Sequence, residues 1–158
     1  MSLVTMLLFA SLHPEIDMDR AIVWEDATRI VYEFGDSSVP PPYHRSFVIS
    51  VTGENATVVV DSYGEILADE SYPITQKQFN LVLKALATSD MSTIQEGESP
   101  DCTGGTTETV SVYINAERVL HGWVYHCGGE NFGTLLGGVN IVAEAVCSLI
   151  PDLAQLRE

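Results

Sequence analysis

Two cysteines in near-matching glycine-rich settings, Cys102-Thr103-Gly104-Gly105 and Cys127-Gly128-Gly129, flank a predicted β-hairpin and constrain the fold more than any other feature of the chain. Glycine beside each cysteine lets the backbone approach closely or take a positive φ, as two segments joined by a cross-link or a shared metal require. The hairpin itself is read from apolar alternation over residues 109–114 and 118–126 around an Asn115-Ala116-Glu117 turn. Its antiparallel pairing sets the segment entering the first strand beside the segment leaving the second, so the two cysteines meet at the open end.

The pair admits several chemistries. A disulfide would stabilise by about 3–4 kcal/mol in the chain-entropy account, and it requires an oxidising compartment. Two reduced, buried thiols are the bland alternative, since free cysteine is among the most buried residue types. Zinc held by Cys102, Cys127 and His121 or His126 needs four ligands in a tetrahedron, yet His126 and Cys127 leave a strand on opposite faces. A nucleophilic Cys127 with His126 or His121 as base is opposed by the negative charge of the chain, which disfavours the thiolate. The expectation is a Cys102–Cys127 disulfide, Cys147 left as an apolar thiol on the last helix, and neither metal nor cofactor. With it goes an extracytoplasmic or secreted location; three free thiols would instead mean the cytoplasm.

Charge bounds the partners. With 22 acidic residues against 7 Lys and Arg the formal charge is −15, so phosphates would be repelled and nucleic acid is excluded as a partner. A basic protein is the partner such a surface suits. At 46% hydrophobic and 18% charged the chain is too apolar for a disordered acidic tail, and 158 residues suit one folded domain. Residues 1–20 carry an apolar run ending near His13-Pro14, without the basic flank or small-residue cleavage site of a signal peptide. That run is also too short for a membrane span, and residues 21–158 are read as the domain.

The remaining pattern predicts an α+β domain in the order strands, helix, hairpin, helix. Strand signals lie at 21–24, 29–34, 45–51, 57–62 and, more weakly, 65–69. Thr75 and Gln78 form a capping box ahead of a helix carrying Phe79, Val82, Leu83 and Leu86. Residues 128–138 read as a flexible glycine-rich loop, with Asn140 capping a last helix that carries Val142 and Val146. Consecutive antiparallel strands with helices grouped on one face give this layered class.

Candidate binding residues are Tyr43, His44, Trp123, Tyr125 and His126, the polar and aromatic side chains best suited to line a groove. Pro40-Pro41-Pro42-Tyr43 matches the PPxY pattern that WW domains read in an extended polyproline form, but the structural alternative, with Tyr43 packed at the sheet end, is preferred. Asn55-Ala56-Thr57 fits a glycosylation sequon at a turn where Asn is expected anyway. Asp61, Glu65, Asp69 and Glu70 lack the spacing of a calcium loop, and the glycines contain no phosphate-cradle motif. Three functions remain: a non-enzymatic acidic interaction module, which is the expectation; a small hydrolase or ligand-binding protein with its site between Trp123, His126 and the 128–138 loop; and a structural domain of a larger assembly.

Overall fold

The computed structural model describes residues 22–95 and 102–158; the N-terminal apolar run, the 96–101 loop and Ala21 lie outside them. Four strands follow one another, β1 (Arg29–Gly35), β2 (Ser46–Thr52), β3 (Asn55–Ser62) and β4 (Glu65–Pro73), then helix α1 (Gln76–Thr88) and a two-residue strand β5 (Ser92–Thr93). The hairpin comes next as β6 (Thr106–Ile114) and β7 (Glu117–Cys127), followed by β8 (Glu130–Gly133), β9 (Leu135–Leu136), α2 (Val139–Cys147) and a last turn α3 (Leu153–Leu156). The broad α+β class holds. The order is richer than strands, helix, hairpin, helix, because β5, β8, β9 and α3 are added.

Seven strands form one antiparallel sheet in the order β4-β3-β2-β1-β6-β7-β8, and β5 pairs separately with β9. Register explains which face is apolar. Ile30, Tyr32, Phe47, Ile49, Val51, Ala56, Val58, Val60, Val110, Val112, Leu120 and Val124 alternate onto one side and are buried. Phe79, Val82 and Leu86 of α1 and Val139, Val142 and Val146 of α2 join them in a single core. Fully burying such side chains is worth about 1.5–3 kcal/mol each, which is what holds both helices to this side. The free edge β4 carries Glu65, Asp69 and Glu70, and a bulge at Val60/Asp61 bends its pairing, two devices that discourage strand addition.

Local signals account for most boundaries. Thr75 and Gln78 do form the capping box, each satisfying an amide of the other. Of the strand expected over 21–24, Ala21 lies outside the described residues and the rest is not a strand: Ile22 and Val23 are irregular, and Trp24 opens a 3-10 turn to Asp26 beside α1. Asn140 is not the helix cap either; the cap position falls two residues earlier, at Gly138, and Asn140 sits in the first turn of α2.

The C-terminal end is tied to the sheet by polar contacts. The Arg157 guanidinium lies 5.0 Å from the Phe34 ring and 4.9 Å from the Phe47 ring, and Arg45 donates to the Glu158 carbonyl at 2.9 Å. The Tyr72 hydroxyl donates to Asp152, and that bond, ahead of desolvation, pushes the phenol up to about 12. A raised acid in the folded state stabilises below its unfolded value, about 10, and the effect is lost as pH rises through 12. A Tyr72→Phe variant should therefore lose less stability than the parent between pH 10 and 12 in urea titrations. Thr75→Ala should lower unfolding free energy by about 1 kcal/mol at neutral pH through loss of the cap, readable in the same titrations.

Candidate functional site

At the open end of the hairpin the strands converge on a cross-link. Cys102 and Cys127 stand at disulfide-bonding distance with Cα atoms 6.2 Å apart and a sequence separation of 25. A side chain at Gly105 would collide with the His126 carbonyl oxygen, which explains glycine at this close approach. Gly128 and Gly129 take φ values of 64° and 86°, forming the tight turn from β7 into β8. The expected flexible loop is thus partly a third strand of the hairpin, paired from Val124 to Cys127 with Glu130 to Gly133.

Disulfide pairing removes Cys127 as a nucleophile, and its side chain leaves β7 opposite to His126. Among the described residues no three His, Cys, Asp or Glu side chains converge as a metal set. His121 instead pairs across the strands with Ser111, Nδ1 to Oγ at 2.9 Å. Cys147 is free, and burial above all pushes its thiol up to about 11, so it is unreactive at neutral pH.

His126 points to the helix-covered side, where Glu108 stands two strand positions from Val110 with the same inward parity. A carboxylate can only accept, so the His126 Nε2–H donates to Glu108 Oε2 at 2.6 Å, and the Tyr32 hydroxyl donates to Oε1 at 2.6 Å. Burial first, and then this bond to Glu108, drives the Tyr32 phenol far above its ordinary range, which keeps it a donor. On the other side of the imidazole, Nδ1 faces Asn131 Oδ1 at 2.8 Å. Four side chains from β1, β6, β7 and β8 form one continuous hydrogen-bonded line: Tyr32, Glu108, His126, Asn131.

This line borders a cleft of about 690 Å³. Glu108, Val124 and His126 supply its sheet side, while Asn131, Leu135, Leu136, Val139 and Ile94 surround it from β8, β9, the start of α2 and the residue after β5. Ile94 and Leu136 keep 44% and 47% of their surface exposed at this apolar margin. The short β5–β9 pairing fixes the margin, and Gly137 passes where a Cβ would strike the carbonyl oxygens of Ser89 and Asp90.

Of the five candidate binding residues only His126 reaches the cleft, together with Asn131, Leu135 and Leu136 of the 128–138 loop named beside it. Trp123 and Tyr125 alternate onto the opposite face, across from Thr109 and Thr107, and Tyr125 braces the cross-link by donating to the Cys102 carbonyl at 3.3 Å. His44 is buried and stacks on Tyr63 with ring centroids 3.9 Å apart. Tyr43 is not packed at the sheet end but 74% exposed. The proline run is not extended there: residues 41–43 form a 3-10 turn, the Tyr43 N–H donating to the Pro40 carbonyl at 2.9 Å, a shape unlike the polyproline form that WW grooves take. Asn55, the sequon residue, is exposed where β3 begins.

Glu108 and Tyr32 escaped the sequence reading, and Asn131 entered it only as part of the 128–138 loop. Glu108 had a signal: an acid sharing parity with Val110 and Val112 belongs on the apolar face and needs partners there. Starting the strand at Thr109 hid it.

No family model, no curated protein and no solved structure matches this chain.

Peptide mapping of non-reduced protein should return a Cys102–Cys127 peptide and Cys147 as the single alkylatable thiol, slow to react at pH 8 until the protein is unfolded. Replacing both bridged cysteines by alanine should cost about 3–4 kcal/mol in denaturant unfolding, the entropy of a loop this long.

Proposed function

We propose that this protein binds a small molecule in the cleft at Glu108 and His126. The observation that carries the reading is the conjunction of a braced polar line with an apolar-walled cavity of about 690 Å³, within the range of small-molecule sites. A histidine held between a carboxylate and an amide is expensive to order, and here it borders open space instead of filling a core. Glu108 would fix the imidazole and His126 and Asn131 would contact the polar part of the ligand, with Val124, Leu135 and Val139 against its apolar part. The pair also has the arrangement of a carboxylate-oriented general base, but among the described residues no serine, threonine or cysteine lines the cleft as a nucleophile. Binding is accordingly preferred over covalent hydrolysis. The cross-linked cysteines favour an oxidising compartment as its place of action.

A second reading, an acidic module for a basic protein partner, draws on the net charge of −15 and on the carboxylates along the free edge β4. It uses another surface and is compatible with the first.

A fragment screen by protein-observed NMR tests the proposal. Hits should move the amide signals of His126, Asn131, Leu135 and Val139 together, and His126→Ala should weaken them about tenfold, the effect of losing one good polar contact. Hits confined to other surfaces, or hits indifferent to His126, would refute it.

A further inference from the structure

We infer that the cleft selects an organic amine carried on an apolar body; this rests on the cleft being a binding site at all. The polar groups that border it are rich in acceptors. Glu108 offers about four acceptor positions, of which the Tyr32 hydroxyl and the His126 N–H occupy two. Asn131 adds an amide oxygen. Among the described residues no lysine or arginine lines the cavity, so an anionic head would approach the Glu108 carboxylate without a fixed cation to receive it.

The rest of the molecule reinforces this sign. A net charge of −15 concentrates organic cations near the surface and repels anions before contact. At the cleft, Glu108 keeps 17% of its side-chain surface accessible and His126 36%, enough for an ammonium group to reach both without breaking their bond. An ammonium brings three N–H donors, and its bond to a carboxylate is charge-assisted, about twice as strong as a neutral one. Beyond the head, Val124, Leu135 and Val139 provide apolar walls, and exposed Ile94 and Leu136 at the margin would be covered by an alkyl or aryl body. His126 serves by position: its Nε2–H holds the Glu108 carboxylate in place beside the cleft, where the amine would meet it.

Three probes with the same body and different heads separate the possibilities: hexylammonium, 1-hexanol and hexanoate, titrated at fixed ionic strength and followed by the amide signals of His126, Leu135 and Val139. Hexylammonium should bind about tenfold more tightly than 1-hexanol, and hexanoate most weakly. In Glu108→Gln the advantage of the amine over the alcohol should fall to about twofold or less. Hexanoate binding as well as the amine, or no head preference in the unsubstituted protein, would overturn the amine assignment and leave the binding site standing. An amine advantage that survives Glu108→Gln would overturn it too, by showing that general surface charge is responsible. If none of the three moves the cleft signals, the binding reading and the amine inference both fall. The comparison of heads on the unsubstituted protein needs no variant, so a poorly folded Glu108→Gln would not spare the inference.

Discussion

Everything at the candidate site hangs on the register between β6 and β7. Side chains alternate along a strand, so a slip of β7 by one residue would send His126 to the far face, away from Glu108, and bring Tyr125 inward. Several features hold the register at once. Asn115, at a φ of 54°, allows the two-residue turn, and a bulge at Val112/Tyr113 absorbs the extra residue that follows it. Leu120 and Val124 of β7 would lose their burial in a slipped pairing. At the other end the Cys102–Cys127 link and the close passage of Gly105 under the His126 carbonyl fix the strands where the histidine stands.

Given that register, the polar line follows from the physics of burial. Glu108 lies opposite Phe34 on one side and Val124 on the other, at the boundary between core and cleft. A carboxylate in that position is costly without partners, and the two available donors come from the neighbouring strands: Tyr32 from β1 and His126 from β7. Tyr32 is itself buried, so its hydroxyl also needs an acceptor, and each group answers the requirement of the other. Stability and site are therefore not separate here. The same pairing that satisfies the edge of the core leaves an oriented imidazole facing the cavity.

How much of this was legible in the residues differs from feature to feature. The disulfide partners were readable because glycine spacing and hairpin pairing are local and reinforce one another. The capping box at Thr75 and Gln78 was readable for the same reason. Residues 128–133 were misread as a flexible loop: two glycines at positive φ make a tight turn as readily as they make slack, and only pairing to β7 tells the two apart. His126 was singled out, but with the wrong company. Trp123 and Tyr125 are its neighbours in sequence, whereas its partners Glu108 and Asn131 come from adjacent strands, and cross-strand partnership needs the register to be known to the residue. The 128–138 loop was placed beside His126 and does supply Asn131, Leu135 and Leu136 to the cleft, but its pairing with β5 was out of reach, since β5 and β9 are two-residue strands with no periodic signature.

The proton on the His126 ring reports on this account most directly. A long-range proton–nitrogen NMR spectrum of the histidines should show a proton on His126 Nε2, shifted downfield and slow to exchange because Glu108 accepts it. A His126 ring whose Nε2 proton exchanges freely, or that carries a proton at Nδ1 and none at Nε2, would mean that the Glu108–His126 bond does not exist and that the site built on it does not form.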